Sequence, residues 1–282
     1  MFKAAGYLCA VFLLTACLGG CDSTRYSAEK RFWHASRDYN KLLRSQDAVS
    51  PVDYQRVIDK FREITIRYPM WPNSAQAQFN IGQLYAMQGN LSKGRDEFYV
   101  ILKDYPENKD MCAKALFMIA MSYEKGDDWP KALEAFNKIT SGYPETGSAL
   151  QVPVHIAEYY KLKGKNEEAS AAYSAAIEKY RNVISKDPNT YAALAALDLA
   201  VTCYAAQEKW NEAVDYLDSL VSSYGNLAIA PKALFVESII YEQKLNMPDK
   251  AEINYKNIIE KYSDTPFAKL AENQLTVLKK TK

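Results

Sequence analysis

Paired carboxylates are the residues of this 282-residue chain whose type and spacing could most readily do chemistry. Asp127 stands beside Asp128 and Glu167 beside Glu168, and two carboxyls in different environments can share the work of general acid and general base. Both pairs fall where amphipathic stretches begin. The positive end of a helix favours a carboxylate there by about 0.3 to 1 kcal/mol, so they read as capping charges. The only histidines, His34 and His155, have no Cys or carboxylate at zinc-site spacing. No phosphate loop ending in Lys and Ser or Thr occurs, and no Gly-x-Ser-x-Gly elbow. No catalytic residue, metal ligand or cofactor is therefore expected, and the chain does not read as an enzyme. Lys plus Arg number 35 against 34 Asp plus Glu, so no basic field exists to hold a phosphate backbone, and nucleic acid is not an expected partner.

The elements behind these residues repeat. Gly82, Tyr85, Gly94, Phe98, Ile101 and Pro106 set a register that Ala120, Tyr123, Ala132, Phe136, Ile139 and Pro144 follow 38 residues later. Ala157, Tyr160, Ala169, Tyr173 and Ala176 continue it, with Arg181 where the proline would stand. Val201, Tyr204, Ala213, Leu217 and Leu220 form a fourth copy, and Ser238, Tyr241, Ala251, Tyr255 and Ile258 a fifth. Upstream, Ser36 and Tyr39 begin a copy completed by Val57, Phe61, Ile64 and Pro69. The step from Ala157 to Val201 is 44 residues, which predicts a longer second helix or loop across Tyr180 to Asn189.

Offsets of three, four and seven keep these residues on one helical stripe, so each copy predicts two amphipathic helices and a tight turn. Small residues mark where the helices of a pair cross closely, and Tyr or Phe fills the volume beside them. The repeat-packing residues are thus Gly82, Tyr85, Ala120, Tyr123, Ala157, Tyr160, Tyr204 and Tyr241. Asp128 and Asn246 read as helix caps, and Pro130 and Pro248 as first-turn prolines. Tyr68, Tyr105 and Tyr143, each before Pro, end second helices, since a residue preceding Pro avoids the helical region. Cys112 and Cys203 fall two units apart, beyond disulfide reach, and are expected as free buried thiols.

The order of small residue, Tyr, Ala, aromatic and Pro resembles the tetratricopeptide repeat, commonly about 34 residues long. The longer connectors here, such as Pro106 to Cys112 and Pro144 to Leu150, resemble those of bacterial envelope proteins: the BamD-like lipoproteins of outer-membrane barrel assembly and the periplasmic coordinator associated with Tol-Pal. This resemblance implies an all-α fold over residues 27–282, a right-handed α-solenoid of about six helix pairs. A capping helix from Thr265 to Lys279 would close it, with Phe267, Leu270, Ala271, Leu275 and Leu278 on its inner face.

In such solenoids the first helices line the concave side, which makes Phe79, Met87, Phe117, Met121 and Phe235 candidates for a peptide-binding groove, since Phe and Met supply adaptable contact area. The same Phe rings could instead pack between units. Phe79, Phe117 and Gln83 occupy the positions that a clamp for a terminal carboxylate would need, which argues against that subtype.

Residues 1–20 read as a secretory leader: Lys3 is the only early charge, and Ala4 to Gly20 is rich in Ala, Leu, Val and Phe. Leu14-Thr15-Ala16-Cys17 and Leu18-Gly19-Gly20-Cys21 each resemble a lipobox, with lipidation and cleavage at Cys17 or Cys21. An uncleaved anchor is the alternative, because the uncharged run approaches the roughly 18 to 20 residues that span a bilayer. Either way the body is tethered to a membrane at its N-terminus. Asp22 after Cys21 resembles an inner-membrane retention signal, whereas Leu18 would follow Cys17; the outer membrane is favoured. The expected function is a membrane-tethered interaction scaffold of the bacterial cell envelope, facing the periplasm, in outer-membrane assembly or cell-wall coordination. Its partner would be an envelope protein or peptide segment, and self-association is a further expectation. The alternative is an envelope enzyme or glycan-processing accessory whose repeats position a substrate.

Overall fold

Helical periodicity this regular leaves little room for strands, and the computed structural model contains thirteen α-helices and no strand among the described residues. It describes residues 4–45 and 49–281, with side chains from 24 to 45 and from 49 to 280. In chain order, α1 (Ala4–Arg44) and α2 (Pro51–Arg67) form the first pair, followed by α3 (Ser74–Met87) with α4 (Leu91–Asp104), and α5 (Lys109–Lys125) with α6 (Trp129–Gly142). Then come α7 (Gly147–Leu162) with α8 (Asn166–Lys186), α9 (Tyr191–Ala206) with α10 (Trp210–Tyr224), α11 (Ile229–Gln243) with α12 (Pro248–Lys261), and a closing helix α13 (Pro266–Thr281). This is the all-α helix-pair architecture expected. The chain groups into two compact units, residues 1–148 and 149–282. The leader side chains, including Cys17 and Cys21, lie outside the described residues. Among the described residues no helix is long and apolar enough to cross a membrane.

In the first unit, Val57, Ile58, Phe61 and Ile64 of α2 are buried against Ile81 and Leu84 of α3. Phe32 and Tyr39 of α1 meet Phe61 edge-on, with centroids 5.9 and 6.1 Å away. Burying such a side chain fully contributes roughly 1.5 to 3 kcal/mol. Polar ties add register: Glu97 of α4 pairs with Arg62 of α2 and accepts from Gln78 Nε2 of α3 at 2.6 Å. The small residues sit where the spacing places them. A Cβ on Gly82 would come within 2.5 Å of the Phe98 ring, and one on Gly94 within 3.0 Å of the Gly82 carbonyl.

The turns repeat a backbone device. The residue before the N-cap of a second helix is left-handed at Gly89 (φ 81°), Asp127 (57°), Gly164 (70°), Glu208 (57°) and Asn246 (53°). Asn246 is therefore not the cap of α12; Met247 is, without a side-chain hydrogen bond. Asp128 does cap α6, accepting from the Lys131 N–H. Tyr68, Tyr105 and Tyr143, each before Pro, end α2, α4 and α6 with φ near −134°, −132° and −135°; Tyr262 ends α12 in the same way, at −126°, with Ser263 after it.

In the second unit, the long step between Ala157 and Val201 is taken up by α8, which has 21 residues where α4 and α6 have 14. The added two turns are held by Tyr180, buried in α8, whose hydroxyl donates to the Leu150 carbonyl of α7 at 2.8 Å. In α13, Ala271 and Leu278 are buried and Phe267 and Leu275 partly so, but Leu270 is 44% exposed. The inner face is narrower than the spacing predicted.

Candidate functional site

The first helices carry the predicted contact residues, and their neighbours decide what remains open. Phe79 is only 9% exposed, its ring 5.3 Å from Phe98. Phe117 is half-buried edge-on against Phe136 at 5.4 Å, and Phe235 is half-buried with Tyr255 and Phe267 each 6.0 Å away. Each ring thus packs on the second helix of its own pair, because the three-residue offset from the small residue aims it at the aromatic on the facing helix. Met87, 40% exposed at the end of α3, and half-buried Met121 on α5 retain surface. Gln83 accepts a hydrogen bond from the Tyr39 hydroxyl at 3.0 Å.

A second pattern surrounds the repeat tyrosines. Lys93 lies over the Tyr85 ring (5.6 Å to its centroid), Lys131 over Tyr123 (5.6 Å) and Lys250 over Tyr241 (4.9 Å). Each of these lysines is the third residue of a second helix, and the pairing is an attraction of cation for aromatic face. In α8 that third position is Glu168, and the N-cap residue Lys165 covers Tyr160 instead, at 5.8 Å. In α10 the third position is Glu212, and the N-cap Lys209 turns to Gln207 Oε1 at 2.9 Å. Among the pairs from α3 to α12, Tyr204 is thus the repeat tyrosine with no cation over its ring among the described residues; it is buried and packs on the Tyr216 ring at 5.7 Å instead. Its hydroxyl accepts from Arg181 Nη2 of α8 at 3.3 Å.

A cleft of about 480 Å³ opens here, lined among others by Glu178, Arg181, Tyr204, Glu212, Asp215 and Tyr216. Arg181 sits over the Tyr216 ring at 5.1 Å and 3.5 Å from a Glu178 carboxylate oxygen. Tyr216 is 3% exposed and its hydroxyl has no hydrogen-bond partner. Burial drives its pKa well above the usual phenol value, so it is a neutral group able to donate or accept. Periodicity could not reveal this cleft, although Glu212 in the lysine position was a readable signal.

Elsewhere, Glu237 of α11 is buried, with one carboxylate oxygen accepting from Asn254 Nδ2 at 3.0 Å and the other without a partner. Burial first, and then the charge of Asp218 on α10, push its pKa up to about 7. These two carboxylates converge away from helix starts, which linear spacing did not suggest. Cys112 and Cys203 are free and buried as expected. Burial raises both thiol pKa values, that of Cys203 to about 12, which withholds the reactive thiolate. Among the described residues no group of three or more His, Cys, Asp or Glu side chains could hold a metal ion.

Models of the tetratricopeptide repeat match residues 53–109, 114–146 and 195–226. Over 107 residues the chain is 31% identical to photosystem I assembly protein Ycf3 of Rippkaea orientalis (strain PCC 8801 / RF-1), covering 36% of this chain and 61% of that one. It therefore spans less than two thirds of that relative's length. Among solved structures, BtubC (BKLC) from P. vanneervenii aligns at 15% identity and a TM-score of 0.43, over 76% of this chain and 89% of that one. The TPR domain of P58(IPK) aligns at 15% identity and a TM-score of 0.33, over 90% and 66%. The protein is thus all-α and carries tetratricopeptide repeats at residues 53–109, 114–146 and 195–226, and repeats of this kind serve as a scaffold for protein–protein contact.

Proposed function

We propose that the chain is a membrane-tethered scaffold of the bacterial cell envelope, lipidated at Cys17 or Cys21, which holds a partner protein or peptide segment on the face of its first helices. The observation that carries the reading is the repeat itself: stacked helix pairs present side chains along their first helices without needing a reaction centre. The leader and its two lipobox-like cysteines support the tether, and the Tyr-Pro connectors support a role in outer-membrane assembly or Tol-Pal-type coordination. The matched relative also bears the name of an assembly protein.

Met87 and Met121, with the open edge of Phe117, supply the partner's contact area; Phe79 serves to brace α3 against α4. One exposed and one half-buried methionine suit an apolar segment whose sequence need not match closely. Affinity capture of the tagged chain from detergent-solubilised envelopes recovers a stoichiometric partner, and Met87→Glu with Met121→Glu abolishes that recovery while leaving the melting temperature in place. Recovery unchanged by the double substitution overturns the first-helix assignment. Labelling with radioactive palmitate, persisting in only one of Cys17→Ser and Cys21→Ser, identifies the anchor; label retained when both are replaced excludes the two cysteines as its site, and no label in the unaltered chain removes the tether.

A further inference from the structure

We infer that the cleft beside Tyr204 is a docking site for a basic side chain, Arg or Lys, of a partner peptide. The inference rests on the scaffold reading above and adds to it a second contact of defined chemistry. The repeat supplies its own template. In four of the five pairs from α3 to α12, a cation carried at the start of the second helix covers the face of the repeat tyrosine. At α10 the residue in that place is Glu212, and the cleft occupies the space beside it.

Charge points the same way. The cleft is lined by three carboxylates, Glu178, Glu212 and Asp215, against two cations, Arg181 and Lys209. Arg181 is engaged by Glu178 and by both tyrosines, and Lys209 by Gln207. Glu212 and Asp215 have no ion-pair partner among the described residues. An incoming guanidinium or ammonium group therefore meets two carboxylates without an ion-pair partner, beside the packed rings of Tyr204 and Tyr216. The buried Tyr216 hydroxyl supplies a further acceptor, at present unsatisfied, which a cationic donor would satisfy. An acidic side chain would have to displace Glu178 from Arg181 while facing Glu212 and Asp215.

The test uses three synthetic peptides, identical in a Gly/Ser background except for a central Arg, Gln or Glu and each carrying a fluorinated N-terminal cap, titrated with the full-length chain in detergent by ligand-observed fluorine NMR. The Arg peptide binds about tenfold or more tighter than the Gln peptide, equivalent to about 1.4 kcal/mol. Glu212→Lys installs the lysine that α4, α6 and α12 already carry at the same helix position, so the variant folds, and it erases the preference. Equal binding of all three peptides, absence of binding, or tightest binding of the Glu peptide overturns the inference. If partner capture still depends on Met87 and Met121 in that case, only the cleft assignment falls and the scaffold reading stands.

Discussion

The second helices of the first unit and those of the second begin on the same backbone but on different side chains. Asn90 and Asp128 cap α4 and α6 at φ, ψ of −84°, 71° and −97°, 67°, each accepting from the N–H three residues on. Lys165 and Lys209 stand at −86°, 74° and −86°, 66° before α8 and α10, with no capping bond. The turn is therefore imposed by how the pair packs, through the small residue and the tyrosine, and the cap is a local addition. Where the cap is lysine, its charge is free to cover a tyrosine, as Lys165 does, or to turn away from it, as Lys209 does, leaving Tyr204 to pack on Tyr216. The cleft in the second unit follows from that freedom.

The crossings differ as well. In the first unit Gly82 and Gly94 let the Phe98 ring lie against the backbone of α3. In the α9–α10 pair the same positions are Val201, Ala213 and Leu217, so volume has moved from the ring to the facing helix. Gly82→Leu is expected to cost about 3 kcal/mol, the upper range for overpacking, read by chemical denaturation, whereas Val201→Leu costs under about 1 kcal/mol. Similar losses at both sites would show that the two crossings are equivalent after all. Combining Gly82→Leu with Phe98→Ala should recover part of the loss.

A buried carboxylate with a raised pKa belongs to the second unit. The pKa of Glu237 is raised from its ordinary 4.5 to about 7, so the fold favours its protonated form. Its contribution is full below pH 4.5 and fades as pH rises through 7. Stability of the second unit should fall by about 3 kcal/mol across that window, and Glu237→Gln should flatten the slope. Hydrogen exchange resolved by residue would place the change in α10 to α12; a slope unaltered by the substitution would remove Glu237 as its source.

Smaller effects test the caps themselves. Asp128→Ala should destabilise by about 1 kcal/mol. Lys165→Asn should gain about 0.5 kcal/mol, a capping bond won against the loss of a cation over Tyr160. Thermal melts of the two variants moving in the same direction would break the equivalence of the two turns. At Glu208, a left-handed residue with a side chain, replacement by Gly should stabilise by about 0.5 kcal/mol, since only Gly adopts that conformation without steric cost; a lower melting temperature would mean that the Glu208 side chain contributes more than its strain costs.

The helix pairs, their crossings at Gly82, Ala120 and Ala157, the stops at Tyr68, Tyr105 and Tyr143 and the long step after Ala157 were legible in the chain itself, though not whether a helix or a loop would take up that step. Their cause is local: helical period, the conformational limits of proline and the size of a side chain at a close approach all act within a few tens of residues. Which rings would be enclosed was not legible, because Phe79 and Phe117 share an offset, yet burial depends on what the facing helix brings. The approach of Arg181 to Tyr204 across 23 residues, the meeting of Asp218 with Glu237, and the cleft that Tyr204 and Glu212 line together were decided only by tertiary structure. Each depends on how one helix pair seats against the next, and a periodic pattern specifies which stripe is buried without specifying which polar groups will face each other when two stripes meet.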